Sequence, residues 1–171
     1  PISISNLSAQ LAALLSQLFP PIKKSTTSSK ESKMKYSLSL NDYVSASGKY
    51  PERLKHPELT EEVKKNAIRL LALVNQFLEE IGYEGAATIS SGWRPSDVNS
   101  NIPGAAKKSL HMQGLAIDLS DPDGALDALI QSKPELLDKY QLWLEAPSST
   151  NGWSHLDLGK RSERKVRIFY P

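Results

Sequence analysis

One stretch of the sequence leaves little freedom for what surrounds it. Val63, Ala67, Leu70, Leu71, Val74, Phe77 and Leu78 recur at the spacing that lines one side of an α-helix. Pro57-Glu58-Leu59-Thr60-Glu61-Glu62 opens this helix with carboxylates in its first turns, where the macrodipole favours them, and Gly82 ends it. So long an apolar stripe has to be covered, and the helix is expected to pack the core. The segments after it are short. Strands are expected over Ala86–Ser90, Leu115–Ser120, Gln141–Glu145 and Trp153–Leu158, with a turn at Ser91-Gly92 and a second helix from about Asp123–Gly124 to Ile130.

A chain of 171 residues has room for one core, and that domain is expected to run from residue 36 to 171. Ahead of it, Leu7, Leu11, Leu14, Leu15 and Leu18 mark an amphipathic helix over 1–20, closed by Pro20-Pro21. Its polar side lacks the Lys and Arg of a membrane-surface helix, so docking on protein is expected, either on its own domain or on a partner such as a virion component. Residues 21–35, rich in Ser, Thr and Lys, read as a flexible linker, because they cannot repay the entropy of ordering. A basic tether for an anionic polymer is the other reading of these lysines.

Twenty-one Lys and Arg against nineteen Asp and Glu leave a formal charge of +2, which gives no case for nucleic acid as a partner. No cysteine is present, so disulfides, thiolate nucleophiles, iron–sulfur clusters and cysteine-based zinc motifs are excluded. Any metal has to be held by His, Asp or Glu. No run approaches the roughly 18 apolar residues of a membrane span, and the first residues lack the positive charge that opens a secretory signal.

Three histidines occur. His56, before Pro57 in a polar turn, reads as a surface residue. His111 precedes a strand in which Leu115, Ile117 and Leu119 share one face and Ala116, Asp118 and Ser120 the other, and Gly114 allows His111 to fold back toward Asp118. In Trp153–Leu158 the same alternation puts Trp153, His155 and Asp157 opposite Leu156 and Leu158. Each His has a plain structural reading as a hydrogen-bonded core residue. If His111, Asp118 and His155 converge, however, they offer three nitrogen and oxygen ligands with a fourth position open, which is the coordination of a catalytic zinc site. Glu145 ends a strand on its polar side and is then the natural general base. Arg94 follows a strand and a tight turn, where its guanidinium could hold a substrate carboxylate or share the charge of an oxyanion. Asp157 is a second acid; its expected role is to orient a ligand histidine from behind.

Together these segments resemble the zinc D-Ala-D-Ala carboxypeptidase family, whose fold is shared with the hedgehog signalling domain. The Ser-x-His-x-x-Gly-x-Ala-x-Asp signature is met by Ser109, His111, Gly114, Ala116 and Asp118, and the later Trp-x-His by Trp153 and His155. Ser91-Gly92-Trp93-Arg94, followed by Val98-Asn99, matches a third segment. The resemblance implies an α+β domain with a small antiparallel sheet flanked by helices. It also implies that His111, Asp118 and His155 bind Zn²⁺, and that Arg94 meets substrate or the tetrahedral intermediate. Ser109, Gln113, Trp153 and Asp157 are expected beside the substrate or behind the ligands. Several members carry the acid three residues before the second His, where this chain has Gly152; a phage-type branch places it at the end of a Gln-Leu-x-x-Glu strand, as in Gln141, Leu142 and Glu145. The implied substrate is a peptidoglycan stem peptide at the bacterial cell wall, cut as by a carboxypeptidase or an L-Ala-D-Glu endopeptidase, with virion carriage or release through a holin as routes there. A zinc-binding module without turnover is the alternative, and a carboxylate in place of the base argues for the enzyme.

Overall fold

The long helix starts at Glu61 rather than at Pro57. In the computed structural model of the protein, which describes residues 35–162 and 166–171, Thr60 is its N-cap, and its hydroxyl accepts the Val63 N–H at 3.3 Å. Leu59 is buried ahead of the cap, and Glu58 turns away to bond the Ser96 N–H at 2.8 Å, so the residues before Thr60 serve other contacts. In chain order the elements are α1 (Leu40–Ser45), a 3₁₀ turn (Pro51–Lys55), α2 (Glu61–Ile81), β1 (Ile89–Ser91), α3 (Ser96–Ser100) and β2 (Ala116–Ser120), then α4 (Ala125–Ser132), α5 (Glu135–Lys139), β3 (Trp143–Glu145), β4 (Trp153–Asp157) and β5 (Ile168–Phe169). The segment 1–20 and the linker up to residue 34 lie outside the described residues.

The expected α+β class holds, with one correction to the sheet. Its order is β1-β2-β4-β3-β5, and the first three pairings are antiparallel. β5 joins β3 in parallel, which makes the sheet mixed at that edge. Four strands begin or end elsewhere than their composition indicates. Ala86–Thr88 forms a turn closed by the Thr88 N–H on Ala86 O at 3.0 Å, so β1 begins only at Ile89. Gln141 has a left-handed φ of 57° and so cannot extend β3. Leu115 and Leu158 flank their strands and bond one another across them, Leu158 N–H to Leu115 O at 2.9 Å.

The alternation itself is as read. Ile117, Leu119, Leu144 and Leu156 point from the sheet into one buried cluster with Leu70, Leu71, Val74, Phe77 and Leu78 of α2. The opposite face therefore receives every second residue of each strand. Register then brings residues far apart in the chain into rows across that face. Asp118 is the cross-strand partner of His155, and Ala116 and Trp143 both pair with Asp157. Continuing the β3–β4 register by one step sets Glu145 beside His155, with Phe169 as its other neighbour.

Candidate metal centre

His111 is the one potential ligand outside the sheet, and two neighbouring turns fix it. The turn that carries it is tied by the Leu115 N–H on Leu110 O at 2.9 Å and by Ser109 Oγ, which accepts the His111 N–H at 3.3 Å. Across from it runs Ser91–Arg94. Trp93 is buried, its indole N–H donates to Met112 O at 3.1 Å, and its backbone N–H donates to Tyr43 O at 3.2 Å. Gly92 is required at this approach, because a Cβ there would stand 1.9 Å from Tyr43 O. Its own carbonyl accepts from His111 Nδ1 at 2.8 Å. A carbonyl can only accept, so Nδ1 carries the proton and Nε2 keeps its lone pair.

That Nε2 is buried and makes no hydrogen bond, although Asp118 Oδ1 lies 3.3 Å away. The same oxygen is 2.7 Å from His155 Nδ1. One donor atom from each of His111, Asp118 and His155 lies within 4.8 Å of the other two. Ligand atoms on a tetrahedral zinc with bonds of about 2.0–2.1 Å stand about 3.3 Å apart, so two imidazole nitrogens and one carboxylate oxygen at these separations fit that ion. The far atom of each group is occupied. Asp118 Oδ2 accepts from Arg94 Nη2 at 2.9 Å, and His155 Nε2 faces Asp157 Oδ2 at 3.2 Å. Nδ1 is thereby the nitrogen of His155 left for a metal.

The charges follow from these contacts. Burial alone would push the Asp118 carboxyl up, but His111 and His155 outweigh it and hold the group well below the usual carboxylate range. Burial pushes His111 down, against the pull of Asp118. His155 is half-buried, and against the effect of burial its bonds to Asp118 and Asp157 raise it to about 9. Asp157 goes down despite burial, through His155 and Arg161. Glu145 is half-buried and pushed up, first by burial and then by Asp118 and Asp157, with His155 opposing.

The remaining expected residues divide. Arg94 sits at the centre, held by Asp118 and, through Nε–H, by Ser91 Oγ at 2.9 Å; its Nη1 makes no hydrogen bond among the described residues. Glu145 and Asp157 lie on the same sheet face as Asp118 and His155. Trp153 opens that face and is 36% exposed. Ser109 lies beneath His111, whereas Gln113 turns back on its own turn, with Nε2 3.4 Å from Lys108 O. His56 is half-buried rather than a free surface residue, since its ring packs edge-on against Trp93 at 5.6 Å. Sequence reading missed Arg161, which grips Asp157; its only signal is a cation four residues after an acid, a spacing that a strand does not bring together.

A family model described as Peptidase M15 matches residues 49–145, more than half of the chain. No curated protein and no solved structure matches. The matched stretch stops short of β4, but the pairing of β4 with β2 puts His155 beside Asp118 independently of the match. A His-Asp-His group suited to zinc and the sequence match point the same way: the chain belongs to the Peptidase M15 family of zinc-dependent metallopeptidases.

Proposed function

We propose that this protein is a zinc peptidase that hydrolyses peptidoglycan stem peptides, acting at the bacterial cell wall as a D-Ala-D-Ala carboxypeptidase or an L-Ala-D-Glu endopeptidase. The observation that carries it is the arrangement of His111, Asp118 and His155, in which each outward atom is bonded to another part of the protein and the three inward atoms face one another within reach of one ion. Zinc held there would polarise the scissile carbonyl and lower the pKa of a water it binds to about 7.

The chain's own residues supply the rest. Glu145 takes a proton from the attacking water and passes it to the leaving amine, a transfer suited to a carboxyl whose affinity for protons burial has increased. Arg94 holds Asp118 in place, and its uncommitted Nη1 is available to share the negative charge that develops on the carbonyl oxygen. A Glu at the end of Gln141-Leu142-x-x-Glu supports the phage-type branch of the family. The substrate class gains support from a cleft of about 1050 Å³ that borders Trp143 and Arg161 but is lined by none of His111, Asp118, Glu145 and His155. Arg161 is paired with Asp157 and Arg167 with Asp138, which leaves Arg69 and Lys160 as the cleft's cations without a carboxylate partner among the described residues, a charge balance that suits peptides carrying free carboxylates.

The test is incubation of the zinc-loaded chain with defined stem peptides, with products identified by mass spectrometry. Released D-Ala or a new amine, abolished by a chelator and restored by zinc, is expected. Absence of any product from the zinc-replete chain would defeat the reading.

A further inference from the structure

We propose that Arg161 is a positioning residue of the metal centre, which acts through Asp157 to hold the imidazole of His155 with Nδ1 toward the ion. This rests on the reading of His155 as a metal ligand. Asp157 has no exposed surface, and an ionised carboxylate in such a place is sustained only by donors that fill its lone pairs. Arg161 provides two of them in a fork, Nη1 to Oδ1 at 2.5 Å and Nη2 to Oδ2 at 2.8 Å. The Gly159 N–H adds a third at 2.8 Å on Oδ1, which leaves the second site of Oδ2 to His155 Nε2. The carboxylate is thus turned so that one oxygen meets the ligand ring, and the plane of the guanidinium sets that turn.

Arg161 is itself held. Its guanidinium lies over the Phe169 ring at 3.5 Å from the centroid and beside Trp143 at 5.3 Å, and Phe169 also meets the His155 ring edge-on at 6.1 Å. A closed circuit results: His155 bonds Asp157, Asp157 bonds Arg161, Arg161 stacks on Phe169, and Phe169 packs on His155. This differs from a surface ion pair, in which both charges are solvated and the geometry is loose. A lysine would supply the charge without the fork, so arginine is required for orientation.

Zinc affinity of the full chain, measured by competition with a chromophoric chelator, decides the matter. Arg161→Gln is expected to weaken binding by about 10- to 100-fold, the range for partners of a ligand histidine, with Arg161→Lys recovering part of the loss. Asp157→Asn should cost a similar factor, and the two losses should fall well short of adding in the double variant, because Arg161 acts on the ring through that carboxylate. Full additivity in the double variant, or unchanged affinity in Arg161→Gln, would overturn the proposal. Should Arg161→Gln fail to fold, Arg161→Lys carries the test: severalfold weaker binding supports it, and undiminished affinity overturns it. If the unaltered chain takes up no zinc at all, the ligand reading of His155 fails, and this inference falls with it.

Discussion

The two oxygens of Asp118 have separate duties: Oδ2 is bonded to Arg94, and Oδ1 lies between the two imidazoles. Glu145 stands in the same row without bonding any of them, which is the placement of a proton carrier rather than a ligand. Glu145→Gln is accordingly expected to lower peptide hydrolysis by about 10²- to 10⁴-fold while zinc stays at one equivalent by elemental analysis. Loss of metal along with activity would make Glu145 structural. The pH profile gives a second check. Burial raises the carboxyl above its ordinary 4.5, and a base must be ionised to work, so kcat/KM is expected to fall as pH drops through a value above 4.5. An acid limb at or below 4.5 would assign the proton to another group. At this scale the convergence of His111, Asp118 and His155 was legible because residue type, glycine spacing and strand alternation all agreed. The carbonyl of Gly92, which sets the tautomer of His111, and the clamp of Arg161 were not, since each depends on a contact that only folding brings about.

Among the elements, α2 and β2 dictate how the turn between them may run. Gly114 has φ +74°, and a Cβ there would meet Val63 O of α2 at 2.5 Å, so both the backbone conformation and the close approach demand glycine. Gly114→Ala is expected to destabilise the chain by about 1–3 kcal/mol in chemical denaturation and to weaken zinc binding, because the strain falls on the turn that carries His111. The long helix and the alternating strands could be read from periodicity, with errors of a few residues at their ends. α1, α3 and α5 escaped because five or six residues hold little more than one turn. β5, with two residues, has no period to detect, yet it is the strand that makes the sheet mixed and seats Phe169 beside Glu145.

For the domain as a whole, stability and metal uptake share one proton. In the metal-free protein His155 is raised to about 9, and its ordinary value is 6.5. The folded state therefore binds this proton more tightly than the unfolded chain, and the resulting stabilisation is complete below 6.5 and lost as pH climbs through about 9. Denaturation midpoints of the metal-free protein are expected to decline across that window, and zinc affinity to rise by about tenfold per pH unit, since the ion displaces the proton. At the cleft, reversing Arg69 and Lys160 to Glu is expected to raise KM for stem peptides by about 2- to 5-fold for each exposed charge with kcat unchanged, as measured by steady-state kinetics at low salt.

The ladder between β2 and β4 has one further consequence. Backbone hydrogen bonds, rather than an ion, keep Asp118 and His155 abreast, and the turn over α2 delivers His111 to them. The backbone frame of the pocket is thus inherited with the sheet. In this it differs from small domains whose folding waits on their zinc.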